Sequence, residues 1–367
     1  MNLTPPSVGY ACINLSLQVS KILTNRGMIK KTFTEKGPAY ASELALKNVQ
    51  DLLKVVDWNL EHGFRLFRMS SDLFPWASEY RIAELPDFFE IRATLEEIGS
   101  RPIRLTVHPG PFNHLAGQGN VLDNTITDLE YHSEVFDLMG LTPSRWNKIN
   151  IHLGGTYGDK AGTIARFCQN YKLLSENLRQ RLTVENDDRP SLYSVRDLVP
   201  VYETIGTPVV FDYFHHSIHP DGLTEQEAFE MAYDTWGEVR PVVHYSNSRR
   251  EYEDPKARVE AHADWLYTPA NTYGRDVDIV CESKMKELAI MRLRGEEFEI
   301  TPQLERLMYQ DKKKDPENPP AELVDPETDE PVSEAAVEKK PKAKKSPKRA
   351  KQKPVPGEEV STNAEVV

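Results

Sequence analysis

Eight short apolar runs, at residues 8–13, 64–69, 102–107, 148–152, 181–185, 207–212, 240–245 and 277–282, read as strands. Between them the apolar residues recur every three or four positions, the spacing of one helix face, most clearly over 42–63, 123–140 and 160–178. Gly63 and Gly140 stand where helix C-caps are expected. Eight strands alternating with helices between residues 8 and 295 predict an α/β fold of the (β/α)8 TIM type rather than an open sheet.

The same runs share a second property. "RLTVHPG" (104–110), "KINIHLGG" (148–155), "RLTVEND" (181–187), "VVFDYFHH" (209–216), "VVHYS" (242–246) and "DIVCESK" (278–284) close on His108, His152, Glu185, Asp212, His244 and Glu282. A single histidine at a strand end is an ordinary hydrogen-bonded residue. Six side chains able to bind metal, ending strands three to eight in succession, form a ring, because a barrel gathers its strand ends on one face. His215, three residues after Asp212, and His262 in "VEAHADW" enlarge the set. His62, His114, His132, His216 and His219 lack this placement and read as ordinary polar residues.

Imidazole with carboxylate suits Mn2+, Zn2+ or Fe, and the absence of cysteine among the strand ends disfavours a structural zinc site. Eight ligands exceed the needs of one ion, so two or three ions bridged by a carboxylate such as Glu185 are expected, Mn2+ foremost, with Zn2+ or Mg2+ as alternatives. Clusters of this kind suit phosphodiester hydrolysis: one ion generates hydroxide while the others neutralise charge on the phosphate and leaving group. Sugar isomerases and epimerases also use paired metals on this fold, so the fold alone does not choose between them.

Composition narrows the class further. Of 367 residues, 39% are hydrophobic and 28% charged, and no apolar run reaches the roughly 18 to 20 residues of a membrane helix. The opening "MNLTPPSVGY" has no secretory pattern, and Cys12, Cys168 and Cys281 are too few and odd for a disulfide framework. A cytoplasmic protein with buried thiols at Cys12 and Cys281 is expected. After Tyr309 there is no Phe, Trp or Tyr; residues 315–338 carry nine acidic and no basic side chains, and residues 339–353 nine basic and no acidic ones. The chain therefore divides into a barrel domain over 1–311 and a disordered acidic-then-basic tail over 312–367. The basic block reads either as a solvated tail or as an electrostatic arm for nucleic acid. The net charge of −12 belongs mostly to the barrel. A polyanionic substrate then needs metal ions or a local basic surface to reverse the field at the site.

Eight collinear motifs carry a resemblance: "GYACINLSL" (9–17), "HPGPFN" (108–113), "IHLGGTYGDKAG" (151–162), "VENDDR" (184–189), "VVFDYFHHSIHP" (209–220), "RPVVHYS" (240–246), "EAHADW" (260–265) and "ESK" (282–284). Together they resemble the UV damage endonuclease family, which is related in fold to endonuclease IV. The resemblance implies a DNA repair enzyme that nicks damaged double-stranded DNA on the 5′ side of a UV photolesion, leaving a 3′-hydroxyl and a 5′-phosphate; cutting at abasic sites is an alternative. It implies metal ligands at His108, His152, Glu185, Asp212, His215, His244, His262 and Glu282, the same eight that the strand-end reading supplies. Glu185 and Lys160 are the expected catalytic residues, and Tyr10, Asn14, Pro111, Phe112 and Lys160 the expected DNA contacts. No nucleotide cofactor and no membrane are expected, and a monomer is the default.

Two departures from the family pattern stand out. Members commonly carry Gln-Tyr after "HPG", a pair that wedges into the duplex, where this chain has Pro111 and Phe112; the aromatic ring survives and the amide is lost. Members also often carry a Lys two residues before the histidine of the seventh strand, where this chain has Val242.

Overall fold

The computed structural model describes residues 6–310, so the expected tail over 312–367 lies outside the described residues. Every predicted strand forms inside its apolar run: β1 (Val8–Ala11), β2 (Leu66–Met69), β3 (Arg104–Val107), β4 (Ile149–Ile151), β5 (Leu182–Glu185), β6 (Val209–Val210), β7 (Val242–Tyr245) and β8 (Asp278–Cys281). All pairings are parallel, in the order β6-β5-β4-β3-β2-β1-β8-β7. The sheet closes between its two end strands through a parallel bridge from Asp212 to His244, with His244 N donating to Phe211 O at 2.9 Å. This is the predicted (β/α)8 barrel, and its seam is made by two of the expected ligands.

The helices, in chain order, are α1 (Leu15–Gln18), α2 (Lys30–Glu61), α3 (Phe88–Gly99), α4 (Asn120–Leu138), α5 (Lys160–Asn170), α6 (Glu176–Arg181), α7 (Val195–Ile205), α8 (Tyr213–Ile218), α9 (Glu225–Tyr233), α10 (Arg249–Tyr252), α11 (Lys286–Leu293) and α12 (Pro302–Gln310). Two helices differ from the sequence pattern. The predicted 42–63 segment is the second part of α2, which begins at Lys30 and is interrupted at Gly37, whose φ of 65° precedes Pro38. Its first turns are largely polar, so no apolar stripe announced them. The predicted 160–178 helix is broken after Asn170: Leu174 is extended, and Ser175 starts α6 by accepting from Leu178 N. No helix among the described residues is long and apolar enough to cross a membrane.

Strand parity explains what faces where, since successive side chains point to opposite faces. Phe67, Leu105, Val107, Ile149, Ile151, Leu182, Val184, Phe211 and Cys281 face the helices and build the main apolar core. The alternate positions face the barrel axis. Some are apolar, with Ala11, Leu66, Val210, Val242 and Val280 forming a second small cluster. Others are charged: Arg104 on β3 reaches across to Asp278 on β8 (Nη1 to Oδ2, 2.8 Å), and both are almost wholly buried. This ion pair fills the floor of the barrel, where Arg104 also donates to the carbonyls of Trp146 and Arg240. Paired and hydrogen-bonded in this way, the charges escape the penalty of isolated burial.

Candidate metal centre at the barrel mouth

The residues that follow the inward parity upward are the expected ligands. Arg104 and Thr106 precede His108, Lys148 and Asn150 precede His152, Thr183 precedes Glu185, and Asp278 and Val280 precede Glu282. Glu185, 1% exposed, is the hub. Its Oε2 lies 3.2 Å from His108 Nε2 and 3.0 Å from His244 Nδ1; its Oε1 lies 3.3 Å from His215 Nδ1 and 3.9 Å from His152 Nε2. Seven of the eight expected ligands fall into three overlapping groups whose donor atoms lie within 4.8 Å of one another: His108, His152 and Glu185; Glu185, Asp212 and His215; Asp212, His244 and Glu282. The eighth, His262, stands beside them, its ring 6.3 Å from that of His215. A short antiparallel bridge between Ser248 and His262 in the loop after β7 delivers it there.

Several imidazoles have one nitrogen committed to the protein, which fixes the other toward the centre. His108 Nδ1 faces Pro109 O at 3.1 Å and His262 Nδ1 meets Ser246 Oγ at 2.7 Å, whereas His215 turns its Nδ1 both to Asn186 O (2.9 Å) and to Glu185 Oε1 (3.3 Å). Asp187 Oδ1 lies 3.2 Å from His152 Nδ1. His244 is turned the other way: Lys148 Nζ approaches its Nε2 at 3.3 Å, so Nδ1 is the atom aimed at Glu185 and Glu282. Val242 is buried as an inward apolar residue, and the amine near His244 comes from Lys148 across the barrel.

Electrostatics follow from burial. Desolvation alone would raise the Glu185 carboxyl, but the surrounding imidazoles, His244 foremost, outweigh it and hold it well below the ordinary range. Burial also opposes ionisation of Glu282, and the adjacent Arg68 guanidinium reverses the effect through a close ion pair. Burial dominates elsewhere: it pushes Asp212 up to about 7, Lys148 down to about 7, and His244 and His262 down to about 4. Despite burial, His152 is raised to about 9 by Glu185 and Asp187. Among the described residues neither Asp212 Oδ2 nor His244 Nδ1 makes a well-directed hydrogen bond, close as the latter lies to Glu185, and buried polar atoms left so cost free energy unless something else satisfies them. With this donor set, a divalent cation fits.

The other expected residues lie around the ligand cluster or behind it. Tyr10 sits on the outward parity of β1 and is wholly buried, its hydroxyl donating to Asn59 Oδ1 (2.6 Å) and accepting from Asn14 Nδ2 (2.7 Å). Asn14, 3% exposed, caps α1 by accepting from Leu17 N. Both side chains are thus buried and tied to each other at the start of the loop after β1. Lys160 opens α5 and pairs with Asp197 at 2.7 Å. Pro111 and Phe112 are exposed on the loop after β3. Cys281 is buried as expected, but Cys12 is only partly so and adopts a φ of 71°.

Sequence reasoning missed the residues beneath and beside the ligands. Arg68 on Glu282, Asn150 on Glu185 Oε2, Asp187 on His152 and Lys148 on His244 are all of this kind. Three of them were legible in principle, since Arg68, Lys148 and Asn150 are polar residues at alternate positions of otherwise apolar strands.

The profile of the UV-endonuclease UvdE family matches residues 6–308. The chain belongs to this family. A relative from Acanthamoeba polyphaga mimivirus is 30% identical over 316 residues, covering 82% of this chain and 94% of its own. The UV-damage endonuclease of Schizosaccharomyces pombe is 34% identical over 305 residues, covering 78% of this chain and 50% of its own, so this chain spans half the length of that family member. Among solved structures, the crystal structure of SacUVDE superposes with a TM-score of 0.67 at 27% identity, covering 80% of this chain and 100% of that one.

Proposed function

We propose that this chain is a metal-dependent endonuclease that cuts UV-damaged double-stranded DNA on the 5′ side of the lesion, leaving a 3′-hydroxyl and a 5′-phosphate. The observation that carries the reading is Glu185: one buried carboxylate among four imidazoles at the mouth of a barrel of the UvdE family. His108, His152, Glu185, Asp212, His215, His244, His262 and Glu282 would hold two or three ions, Mn2+ foremost. Such ions, when bound, acidify the attacking water and offset charge on the phosphate and leaving oxygen. The chain's own residues do the rest. Arg68 holds Glu282 in place, Asn150 holds Glu185, Asp187 turns His152 and Lys148 turns His244, so that the ligand atoms converge before any ion arrives. Phe112, 56% exposed on the loop that begins with His108, is suited to fill the gap left by extruded bases by stacking, which needs no hydrogen bond. Lys160 at the rim is placed for a phosphate contact.

Sugar isomerisation or epimerisation, which barrel and ligands alone would permit, is disfavoured by family membership. The test is a nicking assay on irradiated, unirradiated and abasic duplexes, with chelated protein and with Mn2+ restored. Nicks confined to irradiated duplex and dependent on added metal support the proposal. Equal cutting of undamaged duplex would overturn lesion specificity, nicking unaffected by chelation would overturn metal dependence, and preference for the abasic duplex would move the substrate to abasic sites.

A further inference from the structure

The loop after β3 is fastened on both sides of an exposed tip. On one side His108 belongs to the metal centre and its Nδ1 faces Pro109 O at 3.1 Å. On the other side Asn113, 8% exposed, closes a turn: its backbone N donates to Gly110 O at 3.3 Å and its Nδ2 to the same carbonyl at 3.1 Å. The Asn113 amide also donates to Asp128 Oδ2 on α4 at 2.7 Å, and Asp128 faces the buried His132, one turn further along, at 3.7 Å. The next residues are secured as well. His114 N donates to the buried Thr125 Oγ1 at 3.0 Å, and the carbonyls of Leu115 and Ala116 accept from Asn170 (2.8 Å) and Arg166 (2.5 Å). The His114 ring lies against Gly154, where an added Cβ would fall 2.2 Å from Nδ1, so this loop also rests on the one that carries His152. Between the anchors only Pro111 and Phe112 project.

A side chain that must enter a duplex gains from being held in place beforehand, since ordering a loose loop on binding costs conformational entropy. The Asn113–Asp128 contact is a hydrogen bond to a carboxylate, of the stronger kind. Neither residue is among the expected metal ligands, and Asn113 is the residue next to Phe112 in the chain. We propose that Asn113 and Asp128 are positioning residues: they hold Phe112 at a fixed station relative to the metal centre, so that lesion recognition and strand cutting share one register. This rests on the reading of Phe112 as the wedge.

The test uses the full chain and a double-mutant cycle. Affinity for a dimer-containing duplex and for its undamaged counterpart is measured for Asn113→Ala, Asp128→Ala, Phe112→Ala and the combinations, with metal content and melting temperature recorded. Asn113→Ala and Asp128→Ala are each expected to lower the damaged-to-undamaged affinity ratio roughly fivefold at unchanged metal content, and neither is expected to lower it further once Phe112 is Ala. Asp128→Asn, which keeps an acceptor oxygen, is expected to retain the ratio and covers the case in which Asp128→Ala fails to fold. Losses that persist undiminished in the Phe112→Ala background, or a wild-type ratio in Asn113→Ala, would overturn the positioning role. A wild-type ratio in Phe112→Ala would instead overturn the wedge reading itself.

Discussion

Glu185 and Glu287 are both buried carboxylates, and their surroundings send them in opposite directions. Glu185 has imidazoles on both oxygens and stays ionised. Glu185→Gln keeps the shape and removes the charge that two ions would share. Nicking should fall by about a hundredfold or more, with a much smaller change in binding to irradiated duplex, and Mn2+ should raise the melting temperature of the wild type but not of the variant. Nicking at the wild-type rate would exclude the bridging role. Glu287 on α11 accepts from Ser16 N (2.7 Å) and Ser16 Oγ (3.1 Å), with no ion pair to it among the described residues, and burial pushes it up to about 7. The folded protein thus keeps a proton that the unfolded chain gives up near pH 4.5. Its stabilising contribution is fully present below that pH and is lost as pH rises through about 7. Relative to wild type, Glu287→Gln should therefore gain stability between about pH 5 and about pH 8, by up to about 3 kcal/mol. A stability difference that does not vary with pH would show that Glu287 does not titrate in this window.

At the scale of elements, strand parity did the sorting that residue type could not. Ala11 faces the axis and Tyr10 the helices because they are neighbours on one strand. A motif match fixes position in sequence, whereas a one-residue step along a strand reverses the face. The close approach of β1 and β2 is a second property of this scale. An added Cβ at Gly9 would fall 2.0 Å from Leu66 O, a backbone atom that cannot move without parting the strands. Gly9→Ala is expected to cost at least about 3 kcal/mol, seen as a large fall in melting temperature or as insoluble protein. A melting temperature within a few degrees of wild type would mean that the strands can separate to admit a methyl group.

At the scale of the whole molecule, barrel closure and site assembly are one event. Asp212 and His244 make the bridge that joins the end strands, and both belong to the group completed by Glu282. The electrostatic-arm reading of the basic block makes a prediction of a different kind. Its nine basic residues over 339–353 would contact phosphate without reading sequence or lesion. Truncation after residue 311 is expected to weaken DNA binding at low salt while leaving the ratio of damaged to undamaged affinity unchanged. Unchanged affinity at low salt would make the segment a solvated tail, and a changed ratio would give it a share in lesion recognition.

The sequence by itself determined the barrel and the residues that end its strands, because both are written in local periodicity: apolar runs separated by helical spacing, and a polar, metal-capable residue where six of the eight runs stop. What surrounds those residues was decided only by the tertiary structure. Arg68 meets Glu282 across 214 positions of sequence, Lys148 meets His244 across 96, and Asn113 meets Asp128 by a turn of loop laid on a helix. No local pattern encodes such pairings, since they depend on which strands face each other across a closed sheet and how far each side chain reaches. For the same reason the motif match could not show that the Tyr10 side chain points to the helices and is wholly buried.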